Sequence, residues 1–163
     1  MSAEVWSSRY PRGESGALRD SLREVQILLV EDSLADARLT ARAVDAWSVP
    51  TSLAVARDGD EALTLLRKKA AVASRLPDLI LLDLNLPTLH GFEVLESVKA
   101  DEQLRQIPVV VLTTSDDGDD VRRAYSLYAN CYIVKPSSLS EFMAAVKSIE
   151  DFWLRIARLP DSI

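Results

Sequence analysis

Five short apolar segments separated by longer stretches of helical period predict an α/β fold, a five-stranded doubly wound parallel sheet with helices on both faces. Two features of the segments carry this assignment. They are apolar throughout rather than alternating, as strands buried on both sides are. Four of them also finish in a polar group: "VQILLVEDS" in Glu31 and Asp32, "PDLILLDLNLP" in Asp83, "IPVVVLTTS" in hydroxyls, and "CYIVKPS" in Lys135. Segments fit for a core that all end in polar groups point to one shared rim.

The elements follow in order. The first strand is about Val25–Val30. Ser33 then caps a helix running to Trp47, with Asp36 in capping-box position and Leu39, Ala43 and Trp47 on one face. "TSLAVA" (51–56) is the second strand, and Asp58-Gly59 turns into a helix carrying Leu63, Leu66 and Ala70 on one side. The third strand is Leu79–Leu82, followed by a loop with Pro87 and Gly91 and a helix from Phe92 to about Lys99. Pro108 opens the fourth strand, "VVVLT", and the solvated acidic loop "SDDGDD" precedes a helix at Val121–Ala129. "CYIV" is the fifth strand, and Ser138 with Glu141 makes a second capping box that starts the last helix.

Composition bounds the function. At 163 residues, 48% hydrophobic and 27% charged, the chain suits one globular domain with its own core. A formal charge of −6 excludes nonspecific attraction to nucleic acid or to an anionic membrane. Cys131 is the only cysteine, which rules out an intramolecular disulfide or thiolate cluster and fits a reducing, cytoplasmic setting. No apolar run approaches the ~18 residues of a membrane span. Residues 1–24 lack the apolar stretch of a secretory leader and read as a flexible arm with a short helix near Ala17–Arg23. The folded domain is expected over 25–150, with 151–163 as a C-terminal extension.

Right-handed crossovers place the C-terminal ends of all parallel strands on one edge, where such sheets bind ligands. Glu31, Asp32, Asp83, Thr113 and Lys135 should therefore converge. Carboxylates sharing one pocket repel, and a cation relieves them. An oxygen-only donor set favours Mg²⁺, which keeps waters and shares a phosphate readily. Opposite it, a lysine and a hydroxyl can receive phosphoryl oxygens, and an aspartate can act as the nucleophile.

"LLVEDS", "DLILLDLNLP…HG", "PVVVLTTS" and "YIVKP", in that order, together with "ARDGDEAL" (56–63), resemble the response-regulator receiver domain over about Val25–Ile149. The resemblance implies a flavodoxin-like strand order 2-1-3-4-5, with Asp83 accepting a phosphoryl group from a phosphohistidine on a sensor histidine kinase. It implies that Asp32 and Asp83 bind Mg²⁺ directly, with the backbone carbonyl of Asn85, and that Glu31 does so mostly through water. Lys135 would contact the phosphoryl group, its position set by Pro136 after a bond that is usually cis in this family. Thr113 would swing its hydroxyl to the phosphate, and Tyr132 would change its burial in response. Thr114 replaces a residue that is usually small, which bears on phosphorylation and hydrolysis rates. Tyr128 stands where the family commonly has glycine, so Asn130 is expected to supply the left-handed residue ending the fourth helix. His90, the single histidine, reads as an exposed turn residue.

The last helix continues as "EDFWLRIARLP" until Pro160. Residues 139–159 as one helix would span ~31 Å. Phe142, Val146, Ile149, Trp153 and Ile156 recur at helical spacing, with Phe152 and Leu159 on a neighbouring face. Apolar surface beyond what the domain can cover marks an interface. This ending, with "NCYIVKP", resembles single-domain regulators that accompany bacterial phytochrome kinases, which implies a homodimer through these seven residues. The expected function is a phosphorylation-controlled switch, not an enzyme acting on other molecules, which signals through contacts with a further protein. A receiver-like binding module without phosphorylation is the alternative. An aspartate-nucleophile phosphatase would need an acid at position 85, where Asn85 stands, and a cap domain.

Overall fold

In the computed structural model, residues 4–6 and 23–160 are described, the first group by its backbone alone. The strands are β1 (Glu4–Trp6), β2 (Val25–Val30), β3 (Thr51–Ala56), β4 (Leu79–Leu82), β5 (Val109–Thr113) and β6 (Cys131–Val134). They form one sheet of order β1-β3-β2-β4-β5-β6. The five expected strands are β2 to β6, all parallel and in the expected 2-1-3-4-5 order. β1 adds a short antiparallel edge, pairing Glu4 with Val55 and Trp6 with Leu53. The arm expected to be flexible apart from a short helix near Ala17–Arg23 thus holds a strand at Glu4–Trp6, because an unpaired β3 edge offers a row of backbone partners. The short helix expected near Ala17–Arg23 falls almost wholly outside the described residues.

The helices are α1 (Leu34–Asp45), α2 (Gly59–Ala71), α3 (Gly91–Ala100), α4 (Gly118–Ser126) and α5 (Leu139–Ile149). Alternate strand residues feed two cores. Leu28, Val30, Ile80, Leu82, Val109 and Val111 pack with α2, α3 and α4. Ile27, Leu29, Leu79, Leu81, Val110 and Leu112 pack with α1 and α5. β4 and β5 are buried along their whole length, as unalternating apolar runs require. β6 departs from that expectation: it is the outer strand, so Cys131, Tyr132 and Ile133 are only half-buried and Val134 is exposed.

Several helix ends differ from the sequence reading for local reasons. α4 begins a turn early because Asp117 caps it, accepting from Asp119 N–H, and the acids of the loop fall in its first turn, where the helix dipole favours them. Tyr128 itself takes the left-handed conformation after α4, at φ 66°. Asn130 instead accepts hydrogen bonds at Oδ1 from Val109 N–H at 2.9 Å and Lys99 Nζ at 3.0 Å. His90 is exposed as read, but it also caps α3: its Nδ1 accepts from Phe92 N–H, and Glu93 accepts from His90 N–H.

The largest departure lies in the C-terminal extension. α5 ends at Ile149, and Glu150–Ile156 continues as a π-helix rather than as α-helix to 159. The wider turn closes with Ala157 N–H donating to Phe152 O at 2.7 Å. The cause is Glu150, which is fully buried and accepts from Ser48 N–H at 2.7 Å, Val49 N–H at 2.9 Å and Lys147 Nζ at 2.7 Å. Keeping that carboxylate on the α1–β3 loop sets the path of the chain after it. Among the described residues no helix is long and apolar enough to cross a membrane.

Candidate functional site

The C-terminal ends of β2, β4, β5 and β6 do meet at one mouth. Glu31 follows β2 and is buried, Asp32 beside it is exposed, and Asp83 follows β4 with 6% of its surface accessible. One carboxylate oxygen from each of Glu31, Asp32 and Asp83 lies within 4.8 Å of the others. Lys135, one residue past β6, reaches across with its side chain only 5% exposed. Its Nζ donates to Glu31 Oε2 at 2.6 Å, Asp36 Oδ2 at 3.1 Å and Asp83 Oδ2 at 3.2 Å.

Backbone contacts fix these groups in place. Asp83 N–H donates to Val30 O and Lys135 N–H to Thr113 O, so the sheet ladder itself sets the depth of both side chains. Asn85 N–H donates to Asp83 Oδ1 at 3.2 Å, which places Asn85 beside the carboxylate. Gly91 lies against the backbone of Asp83 and Leu84, where a Cβ would overlap both, and its N–H donates to Leu84 O. No side chain larger than hydrogen fits there without displacing Asp83. Ser33 N–H donates to Glu31 Oε1, and Ser33 Oγ accepts from Asp36 N–H as the α1 cap. Only half of the expected capping box forms, because the Asp36 carboxylate turns to Lys135 instead.

Burial pushes the Glu31 carboxyl up to about 7, with the charge of Asp83 adding to the rise and the Lys135 hydrogen bond opposing it. Burial alone would lower Lys135, but the hydrogen bond and charge of Glu31, then Asp83 and Asp36, outweigh it and hold the lysine above its usual range. The lysine is therefore a fixed positive charge among acids.

Thr113 completes the mouth. It is fully buried, and its Oγ1 has no hydrogen-bond partner. Such a hydroxyl costs about 1–3 kcal/mol unless something binds to it. Thr114 next to it is exposed. Tyr132 is half-buried and donates its hydroxyl to Ser115 O at 2.9 Å, tying β6 to the loop after Thr113. Every peptide bond among the described residues is trans, including Lys135–Pro136, in contrast to the expected cis bond. The two isomers of such a bond differ by only about 1 kcal/mol, so its surroundings choose between them. Here Lys135 meets all three acids across a trans bond.

Asp36 is the site residue that the sequence reading placed only as a helix cap. The ion pair of residues 99 positions apart leaves no local signal, although an acid one turn after the Glu31-Asp32 pair could have prompted the question. The donor set suits a hard divalent cation: three acids that repel one another, oxygen donors throughout, and neither histidine nor cysteine among them.

Of the seven residues expected at a dimer interface, three are not available to a partner. Phe142, Val146 and Ile149 are buried in the chain's own core beneath α5. Trp153 is half-buried and packs on the same cluster. Phe152 and Ile156 are exposed, at 51% and 74%, and Leu159 is half-buried. The α5 seam was therefore an intramolecular one, since the sheet face needs a helix to cover it.

Comparison with known proteins agrees with this arrangement. The model of the response regulator receiver domain matches residues 27–147. Response regulator Rcp1 of Synechocystis sp. is 45% identical over 135 residues, covering 82% of this chain and 92% of Rcp1. The crystal structure of the phosphorylated cyanobacterial phytochrome response regulator RcpA superposes with a TM-score of 0.80 at 50% identity, covering 85% of this chain and all of that one. The Mn²⁺-bound form of Rcp1 superposes with a TM-score of 0.78 at 44% identity, covering 83% and 99%. Receiver domains bind a divalent metal, and the acids at this sheet mouth fit one. This chain belongs to the response regulator receiver domain family, with a CheY-like fold and phytochrome-associated regulators among its homologues.

Proposed function

We propose that the chain is a phosphorylation-controlled switch in which Asp83 accepts a phosphoryl group from the phosphohistidine of a sensor histidine kinase. The observation that carries this reading is the gathering of Asp83, two further acids and Lys135 at one mouth, with Thr113, whose buried hydroxyl lacks a partner, ending the strand beside them. An oxygen of the Asp83 carboxylate attacks phosphorus as the P–N bond to the imidazole breaks, and the product is an acyl phosphate. Lys135 neutralises charge on the transferred group, and the Thr113 hydroxyl donates to one of its oxygens. The cation proposed is Mg²⁺, held by Asp32, Asp83, the Asn85 carbonyl and, through water, Glu31; when bound, it offsets the charge shared by acids and phosphoryl oxygens. Thr113 turning inward loosens its neighbourhood, and the Tyr132–Ser115 bond is the contact through which β6 and α4 register the change. Thr114 borders the group and tunes its lifetime, while Pro136 shapes the loop that carries Lys135.

The similarity to Rcp1 and RcpA supports a kinase of the bacterial phytochrome class as donor. The output is contact with another protein in the cytoplasm, and the only chemistry the chain catalyses is its own phosphorylation and dephosphorylation. The exposed Phe152 and Ile156, with Trp153 and Leu159 beside them, support a homodimer through the C-terminal extension.

The test is incubation with acetyl phosphate and Mg²⁺ followed by intact-mass analysis. One added phosphoryl mass is expected, absent from Asp83→Asn and absent when the cation is chelated. No addition under these conditions would leave a receiver-like binding module as the function.

A further inference from the structure

We propose that Asp36 is a positioning residue for Lys135, the partner that keeps the lysine over Asp83 when Glu31 turns to a divalent cation. The inference rests on the phosphoacceptor reading and extends it to a residue outside the acidic trio.

A lysine ammonium has three N–H donors. Here each meets a different carboxylate: Glu31 at 2.6 Å, Asp36 at 3.1 Å and Asp83 at 3.2 Å. Two of these acceptors belong to the group of acids that can hold a cation, and the third does not. A cation at that group draws on Glu31, the partner Lys135 holds most closely. With Glu31 drawn to the cation, and Asp83 shared with that cation and then with the phosphoryl group, the lysine would keep no carboxylate of its own until the phosphoryl oxygens reach it. Asp36 removes the conflict because its carboxylate stays free of both.

The local structure holds Asp36 for this task. Its N–H donates to Ser33 Oγ at 3.2 Å, and its carbonyl accepts from the buried Thr40 hydroxyl at 2.9 Å. The first turn of α1 is thereby clamped at both backbone groups. The Asp36 side chain is 41% exposed while Lys135 is 5% exposed, so the acid stands at the rim and reaches inward. Its carboxylate also forgoes the reciprocal cap to Ser33 N–H, which goes to Glu31 instead. A surface acid serving only the helix would keep that bond.

The experiment compares wild type, Asp36→Asn and Asp36→Glu in the full chain. Calorimetric titration with Mg²⁺ gives the dissociation constant, and acetyl phosphate uptake at saturating Mg²⁺ gives the transfer rate. Asp36→Asn is expected to weaken Mg²⁺ several-fold, because Lys135 then holds Glu31 more firmly. It should also slow uptake at saturating cation toward the roughly 10-fold loss typical of groups that orient a site ligand. Asp36→Glu, which keeps the charge on a longer stem, should recover most of the uptake rate. Loss of negative charge alone would change the Mg²⁺ constant and leave uptake at saturation unaltered, and that result overturns the proposal. So would Asp36→Glu as slow as Asp36→Asn, or Asp36→Asn within twofold of wild type in both measurements. If the wild type takes up no phosphoryl group, the phosphoacceptor reading fails, and an unchanged Mg²⁺ constant in Asp36→Asn then refutes the role of Asp36 separately.

Discussion

Thr113 carries a buried hydroxyl that costs the fold stability. Its hydroxyl is buried without a partner, on a residue whose carbonyl accepts from Lys135 N–H. Valine has the same shape without the hydroxyl, so Thr113→Val should stabilise the metal-free chain by about 1 kcal/mol in urea unfolding. The same variant should slow phosphoryl uptake from acetyl phosphate by tenfold or more, since one donor to the transferred group is gone. Unchanged uptake would mean the hydroxyl is an ordinary core feature. Lys135 illustrates the opposite economy. Its burial is tolerable because three carboxylates surround it, while burial pushes the Glu31 carboxyl upward and the Lys135 hydrogen bond opposes that rise.

Among the elements, the π-helix Glu150–Ile156 has the clearest physical origin. Its first residue is a fully buried carboxylate that receives backbone and side-chain donors from the α1–β3 loop, together with Lys147. Burial works against this carboxylate, but the Lys147 bond and the Val49 and Ser48 donors more than offset it and bring it down to about 2 from 4.5. A depressed carboxyl stabilises the fold fully above its unfolded value and ceases to do so as pH falls through the folded one. Glu150→Gln should therefore cost on the order of 2 kcal/mol at pH 7. The gap from wild type should narrow as pH drops from about 5 toward 2. Chemical unfolding at several pH values measures it, and a constant gap would show that the carboxylate's charge contributes nothing. α4 and α3 repeat the theme on a smaller footing, since Asp117 and His90 each decide where a helix starts.

For the molecule as a whole, the apolar seam of α5 and its continuation divides into a buried part and an exposed part. Phe142, Val146 and Ile149 close the face of the sheet shared with α1, whereas Phe152 and Ile156 stand in solvent. Ile149→Ala should accordingly destabilise the monomer by about 2–5 kcal/mol in denaturant unfolding. Phe152→Ser with Ile156→Ser should leave that stability nearly unchanged and convert the proposed dimer to a monomer in sedimentation at tens of micromolar. A dimer undisturbed by the double substitution would place the contact elsewhere. Truncation after Ile149 is the poorer test, because it also removes Glu150 and with it the tie to Ser48 and Val49.

Strand order, the two-sided burial of β4 and β5, and the meeting of Glu31, Asp32, Asp83 and Lys135 were all legible in the chain. Each follows from a run of apolar residues, its polar end, and the handedness of crossovers, which are local patterns with one geometric outcome. The antiparallel β1 edge, the half-exposed β6, the left-handed Tyr128, the Asp36–Lys135 pair and the π-helix at Glu150 were not. All but Tyr128, whose helix end closes locally through Ala129 N–H on Ala124 O, depend on a partner far away in sequence: a free strand edge, an absent neighbour, or a buried acid that needs donors from 101 and 102 residues earlier. Periodicity reports which side of a helix is apolar, but whether a second chain or the home sheet covers that side depends on distances that exist only after folding.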